Sequence, residues 1–412
     1  MFRKNSIVIL ALCVAMLQIY GCSGIMKANH LISQERYDEA IPILKEQIAE
    51  RPDFARARNK LGFAYLKTGQ LDKAINEFEN VLNKVPDEPY AILYLGMAYL
   101  NKEELGKAMD TWKMYKNVRA PLVEEEINRL MTVLLIAQSQ RSAKTALAQE
   151  GQLKTNKPDA NTIAVCYFND LSADKSLRAF QKGLAAMVAT DLSKIRNFKV
   201  IERLRLQALL QEMKLGQTGI VDPNTAPRVG KLLGTENLVT GNLSLGSIQV
   251  VASVSSSSNE KVLGSTSTKV EQENFYDLPG LVIQNCADIL GIKLSDEEKA
   301  VIGVPHTKVY QAFIYYGQAL DALDAGKWQD AKNLFEMALK EDPLFYLAKK
   351  GRDSCPGKNT PSIAEISVMT AVDLANVTER SIDKAEDQQA RADKTASTAS
   401  KGGCSGGSGH SH

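Results

Sequence analysis

The sequence predicts an α+β multidomain chain: a helical solenoid, then a three-layer α/β domain, then one further helical hairpin of the solenoid type. Three observations carry that expectation. Ala40, Ala74 and Ala108 lie 34 residues apart, with large apolar residues and prolines repeating in the same phase. From Thr162 the pattern changes to short apolar runs bounded by turn residues, as buried strands require. The 34-residue pattern then returns once, between Tyr316 and Pro343. A length of 412 residues suits two or three folded units, and 44% hydrophobic residues with only 6% aromatic fits Ala- and Leu-rich helices.

Residues 1–21 read as a secretory signal, with Arg3 and Lys4 before an apolar stretch from Ile7 to Leu17. That stretch is too short to span a bilayer. Ile19-Tyr20-Gly21-Cys22 resembles a lipobox, although Tyr20 departs from the usual small or hydroxyl residue. The resemblance implies lipidation of Cys22, and several acyl chains at about 0.8 kcal/mol per buried methylene make a firm membrane anchor. Ser23 in place of Asp favours the outer membrane, periplasmic side, under enterobacterial-type sorting.

Residues 26–119 form the repeat array. Tyr37-Asp-Glu-Ala-Ile, Leu71-Asp-Lys-Ala-Ile and Leu105-Gly-Lys-Ala-Met align, as do Leu61-Gly-Phe-Ala-Tyr65 and Leu95-Gly-Met-Ala-Tyr99. Leu44, Phe78 and Trp112 keep the same step, and so do Pro52 and Pro86. This pattern resembles the tetratricopeptide repeat (TPR), in which small residues let paired helices approach and stacked pairs form a concave face. Such a face implies capture of a peptide or helix from an envelope or secreted protein. Asn59, Lys60 and Tyr94, on the first helix of their units, are the candidate partner-binding residues and are expected to be exposed.

A long helix is expected over residues 120–152, with Ile127, Leu130, Met131, Leu134 and Leu135 on one stripe. The middle domain, residues 160–293, reads in the order βαβααβββα. Its elements are a strand from Thr162 to Phe168, a helix to about Lys194, a short strand at Lys199–Ile201 and an amphipathic helix from Glu202 to Met213. A helix entered at Asp222-Pro223 follows, then strands near Leu238, Ile248 and Val262 with a hairpin turn at 256–261, and a helix from Leu278 to Leu290.

Ile163-Ala-Val-Cys-Tyr-Phe-Asn-Asp170, Val200-Ile-Glu-Arg203 and Gly234-Thr-Glu-Asn-Leu-Val-Thr-Gly241 resemble the CsgG-like domain of curli secretion lipoproteins. Lipoprotein activators of peptidoglycan synthases and flagellar outer-membrane lipoproteins share that fold. Pore-forming members insert long membrane hairpins with strands of roughly 9–11 residues per crossing, and no insertion of that length is present. No channel is expected, while a homo-oligomer stays open.

Residues 305–350 form a single TPR-like unit, which cannot bury both of its faces alone and must stack on the long helix, the middle domain or another copy. Residues 358–412 read as a polar, low-complexity, disordered tail containing Cys404, His410 and His412.

The charge of +2, from 50 basic and 48 acidic residues interspersed along the chain, makes no case for nucleic acid. Of four histidines, His30, His306, His410 and His412, none accompanies a nucleophile or a metal set, so no enzyme, cofactor or metal is expected. The six cysteines include no CxxC pair, and the sequence leaves open whether Cys166 and Cys286 form a disulfide. Gly216–Gly219 reads as a turn, Asp170 as a helix cap, Asp191 as a solvated helix residue, and Glu202 with Arg203 as structural ion pairs. The expected function is a lipid-anchored periplasmic scaffold in envelope or curli-like fibre assembly, without its own pore. The alternative is a lipoprotein that activates a peptidoglycan-synthesising enzyme.

Overall fold

The computed structural model describes residues 24–115, 120–153, 158–215, 220–244 and 247–356, with positions 360, 366 and 391. The signal sequence, Cys22, the turn at 216–219 and most of 358–412 lie outside the described residues. Within that last stretch, Thr360 and Ile366 are buried. The chain divides into two compact units, residues 1–131 with 370–412 and residues 132–369.

The first unit holds three antiparallel helix pairs: α1 (24–33) with α2 (Tyr37–Glu50), α3 (Ala55–Lys67) with α4 (Leu71–Leu82), and α5 (Pro89–Asn101) with α6 (Leu105–Lys113). One left-handed residue reverses the chain within each pair. Glu35, Gly69 and Glu103 have φ of 59°, 72° and 61°, and they keep the 34-residue step. Each turn is closed by the same bond: Arg36 N to Leu31 O at 2.9 Å, Gln70 N to Tyr65 O at 2.8 Å, and Glu104 N to Tyr99 O at 2.9 Å. Gly96 is where two helices meet most closely, because a Cβ there would lie 2.1 Å from Trp112 Nε1. The indole instead donates to Leu93 O at 3.1 Å.

Helix α7 (Pro121–Ala148) contains the boundary between units. Its buried positions include Ile127, Leu130, Leu134 and Ala137, at helical spacing, whereas Met131 and Leu135 of the expected stripe are only half-buried.

The second unit continues through α8 (Glu150–Leu153), β1 (Asp159–Val165), β2 (Asn169–Asp170), α9 (Arg178–Leu192), β3 (Lys199–Val200), α10 (Arg203–Glu212), α11 (Ala226–Leu233), β4 (Thr235–Ser244), β5 (Ile248–Ser256) and β6 (Lys261–Val270). A 3-10 turn (Gln272–Asp277) leads into α12 (Leu278–Leu290), followed by α13 (Asp296–Ile302), α14 (Tyr310–Asp324), α15 (Trp328–Glu341) and α16 (Tyr346–Asp353). The sheet runs β3-β1-β4-β5-β6, with β2 also paired to β4. β1 is parallel to β3 and β4, while β4, β5 and β6 are antiparallel neighbours. Parallel pairing demands crossover helices, and α9 to α11 supply them.

The sheet therefore has two covered faces. Ile163, Val165, Val239, Val250 and Val254 pack with α9 and α12, whereas Ala164, Cys166 and Leu238 pack with α10, α11 and Ala143 of α7. Cys166 and Cys286 fall in these separate cores and both are free thiols, which answers the disulfide question. Burial pushes each thiol up to about 12. Helix α11 begins later than Asp222-Pro223 suggests. Asp222 instead makes a turn that accepts from Asn224 N at 2.8 Å, and Pro227 occupies the first turn of the helix.

The late TPR-like hairpin, α14 with α15, stacks on the α/β domain. Phe180, Phe275 and Phe313 form one aromatic cluster with centroids 4.5 to 6.3 Å apart, and Phe313 covers Gly183 of α9. At Gly317 the two backbones nearly touch, since a Cβ there would stand 1.9 Å from Ala179 O. The hairpin turn repeats that of the array, with Gly326 at φ 69° and Lys327 N bonded to Ala322 O at 2.9 Å.

Candidate interaction surfaces and a buried ion cluster

In the array, the three proposed partner-binding residues are not at the surface. Asn59, Lys60 and Tyr94 are 2%, 1% and 0% exposed, which corrects the expectation. Helix α3 packs against α2, α4 and α5, so few of its positions stay open. Asn59 Nδ2 donates to Glu88 Oε2 at 2.8 Å, and the same carboxylate caps α5 by accepting from Ala91 N at 2.6 Å. Tyr94 packs between Phe63 and Phe78, with centroids 5.3 and 5.7 Å away. Asn59 and Tyr94 therefore hold successive pairs together. An ion pair from Lys102 to Asp72 at 2.7 Å reinforces the same stacking on the outside, while Arg58 to Glu77, also at 2.7 Å, ties α3 to α4 within one pair.

In the second unit the principal charged constellation is buried and joins the α/β domain to the hairpin. Asp324 closes α14 and is 8% exposed. Its carboxylate accepts from Tyr167 Oη at 2.6 Å, pairs with Lys182 at 2.9 Å, and is also bound by Arg203. Lys182 reaches Asp321 at 2.6 Å as well, and its ammonium lies 5.1 Å from the Tyr167 ring centroid. Burial alone would raise the Asp324 carboxyl, but Arg203 and Lys182 outweigh it and hold the group below its ordinary value. Burial and the Asp324 charge push the Tyr167 hydroxyl well up. The arrangement is a satisfied charge network, with cations, hydroxyl and carboxylates all partnered.

Arg203 thus forms a structural ion pair, as the sequence suggests, but with Asp324, 121 residues away. Glu202 is exposed at the start of α10 and makes no side-chain cap. Asp170 is not the helix cap expected of it, since α9 has Leu177 as its N-cap without a side-chain bond. Fully buried, Asp170 instead accepts from Ser172 N at 2.8 Å and from Leu177 N at 3.0 Å and closes the loop that leads into α9. Asp191 is 1% exposed, not solvated, and meets His306 Nε2 at 3.0 Å and Lys194 Nζ at 2.7 Å.

A cleft of about 390 Å³ opens between α7, α10 and α11, lined by Ser139, Arg141, Ser142, Gln149 and Arg205. A second, of about 250 Å³, is crossed by the Arg228–Glu150 pair at 2.6 Å and by the Lys231–Glu260 pair. Among the described residues no group of three His, Cys, Asp or Glu could hold a metal ion, and no helix is long and apolar enough to cross a membrane.

Comparison with known proteins agrees with the two modules. Residues 143–274 match the family described as curli production assembly/transport component CsgG. Residues 31–94 and 316–352 match two tetratricopeptide repeat families. The chain thus combines a CsgG-type domain with TPR units on both sides of it. No curated protein matches. Among solved structures it is similar to a tetratricopeptide repeat protein from Parabacteroides merdae, at 11% identity and a TM-score of 0.28, covering 82% of this chain and 99% of that one. It is also similar to yeast Tom70, at 13% identity and a TM-score of 0.26, covering 82% and 67%.

Proposed function

We propose that this chain is a lipid-anchored scaffold of the bacterial envelope, with no catalytic activity, that holds a protein partner in curli-like fibre assembly or secretion. The observation that carries the reading is the joining of an array of TPR helix pairs to a CsgG-type domain, two modules whose work in their families is contact with other proteins. Lipidation of Cys22 supplies the anchor, on the outer membrane facing the periplasm. The chain makes no pore of its own, because the β4–β5 link spans only 245–247 and the β5–β6 link only 257–260. A membrane hairpin needs about 9–11 residues per strand.

The test is to crosslink the native envelope mildly, recover the chain beside a Cys22→Ser variant, and identify what accompanies each. One envelope or secreted protein enriched with the native chain and lost from the variant supports both anchor and scaffold. A chain that is soluble regardless of Cys22 and comes alone overturns both. A partner that synthesises peptidoglycan instead of fibre subunits shifts the reading to a cell-wall regulator.

A further inference from the structure

Helices α3 and α5 are buried on every side. Asn59 to Leu66 and Ala91 to Ala98 are each an unbroken run of buried residues, longer than two helical turns. Helix α3 packs against α2, α4 and α5, and α5 packs against α3, α4 and α6. In a stack of helix pairs such neighbours lie beside and behind, and they leave the concave face to other contacts. Something else therefore fills that face.

We propose that the occupant is the chain's own C-terminal segment, residues 370–390, which docks along α3 and α5 and is displaced when a partner is captured. Residues 370–412 belong to the same compact unit as the array. The segment carries the pattern of a groove-binding helix. Ala371, Leu374, Ala375, Ile382 and Ala385 stand at i, i+3, i+4, i+11 and i+14, one apolar stripe at helical spacing. Arg391 falls on the opposite face of that stripe, and it is helical and exposed.

Charge points the same way. Helices α1, α3 and α5 carry Lys27, Arg56, Arg58, Lys60 and Lys67 and no carboxylate. Residues 370–390 carry five acids against two bases. Arg58 meets Glu77 of α4. Lys60 is 1% exposed within the buried run, and a buried ammonium needs an anion beside it, which the acidic segment supplies. A ligand tethered in this way is present at an effective concentration of about millimolar, so a partner must outcompete it. That the segment regulates capture rests on the scaffold reading; that it fills the groove does not.

Carbodiimide crosslinking of the full chain, which joins a carboxylate directly to a lysine it touches, tests the proposal with peptide mass spectrometry. Acids between Asp373 and Asp387 should join Lys27, Lys60 or Lys67, and an isotope-labelled second copy should give no mixed product. Leu374→Ser with Ile382→Ser, in a chain whose circular dichroism is unchanged, should abolish these links and speed tryptic cleavage at Arg380 at least about tenfold. The same variant should bring down more of the partner recovered in the envelope crosslinking. Links only to residues 132–369, links between copies, or links and cleavage unchanged in the double variant overturn the occupied groove. A variant that loses the links yet captures no more than the native chain overturns the regulation. Capture by neither chain, with the links formed in the native one, overturns the scaffold reading and leaves the occupied groove standing.

Discussion

Replacing Asp324 by Ala should detach the TPR-like hairpin from the α/β domain at a cost of about 3 kcal/mol. The carboxylate is bound by Tyr167, Lys182 and Arg203. Removing one member of a buried charge network leaves the others uncompensated, typically about 3–5 kcal/mol. The lower end applies here. Lys182 keeps Asp321 at 2.6 Å, and a quarter of the Arg203 side chain reaches solvent, so only part of its charge is stranded. The assay is urea unfolding followed by Trp328, which stands buried at the start of α15, in a Trp112→Phe background that silences the other tryptophan. With a slope of about 1–3 kcal/mol/M, the midpoint should fall by roughly 1–3 M. Arg203→Met combined with Asp324→Leu should recover most of the loss, because it removes the carboxylate together with its arginine and leaves Lys182 paired with Asp321. A loss below about 1 kcal/mol, or a double variant as damaged as the sum of its parts, would refute the reasoning. The pH dependence has a definite sign. The folded carboxyl titrates below its unfolded value, so its contribution is complete above about pH 4 and disappears as pH falls through the lower folded value.

Gly317→Ala should cost about 3 kcal/mol by the same readout, since the new methyl meets the Ala179 carbonyl, a backbone atom that cannot rotate away. Glu103→Gly should raise the array's stability by about 1 kcal/mol in thermal unfolding, because Glu103 holds a left-handed φ of 61° at the position that Gly69 fills in the preceding pair. Tyr94→Ala should lower array stability by about 3–5 kcal/mol as judged by far-ultraviolet melting; an unchanged melt would return Tyr94 to the surface. Cys166 and Cys286 should resist thiol reagents at pH 8 until urea is added, and reductant should leave the melting temperature unchanged.

The repeats were legible because small, aromatic and proline residues recur in one phase, and the strand order of the α/β domain because its apolar runs and turns are short and distinct. Burial was harder. Periodicity says which face of a helix a residue occupies, not how many neighbours close over it. Asn59 and Tyr94 therefore read as surface residues, although one bridges to Glu88 and the other sits between Phe63 and Phe78. The ion cluster was missed for a related reason: Tyr167 and Arg203 stood in recognisable motifs, but Asp324 lies 157 residues from Tyr167, and neither Lys182 nor Asp324 stood in one. A signal was present nevertheless. Asp321 and Asp324 lie in the last turn of α14, where the helix dipole disfavours carboxylates, and two acids there ask for buried cations from elsewhere.

A lone repeat unit is a problem in a solenoid, whose members normally bury one another. Here the α/β domain takes the place of the missing neighbour. Phe180, Val282, Phe313, Phe335 and Phe345 belong to one continuous core, so residues 160–293 do not close a core by themselves and the hairpin completes it. Apolar packing alone would tolerate small slips between α9 and α14. The ligands of Asp324 come from the chain just after β1, from α9 and from the first residue of α10, and only one setting of the hairpin satisfies all three. The cluster therefore fixes a geometry that packing alone would leave loose. It follows that the hairpin serves the domain's architecture, and that partner capture in the proposed scaffold falls to the helix pairs of the first unit.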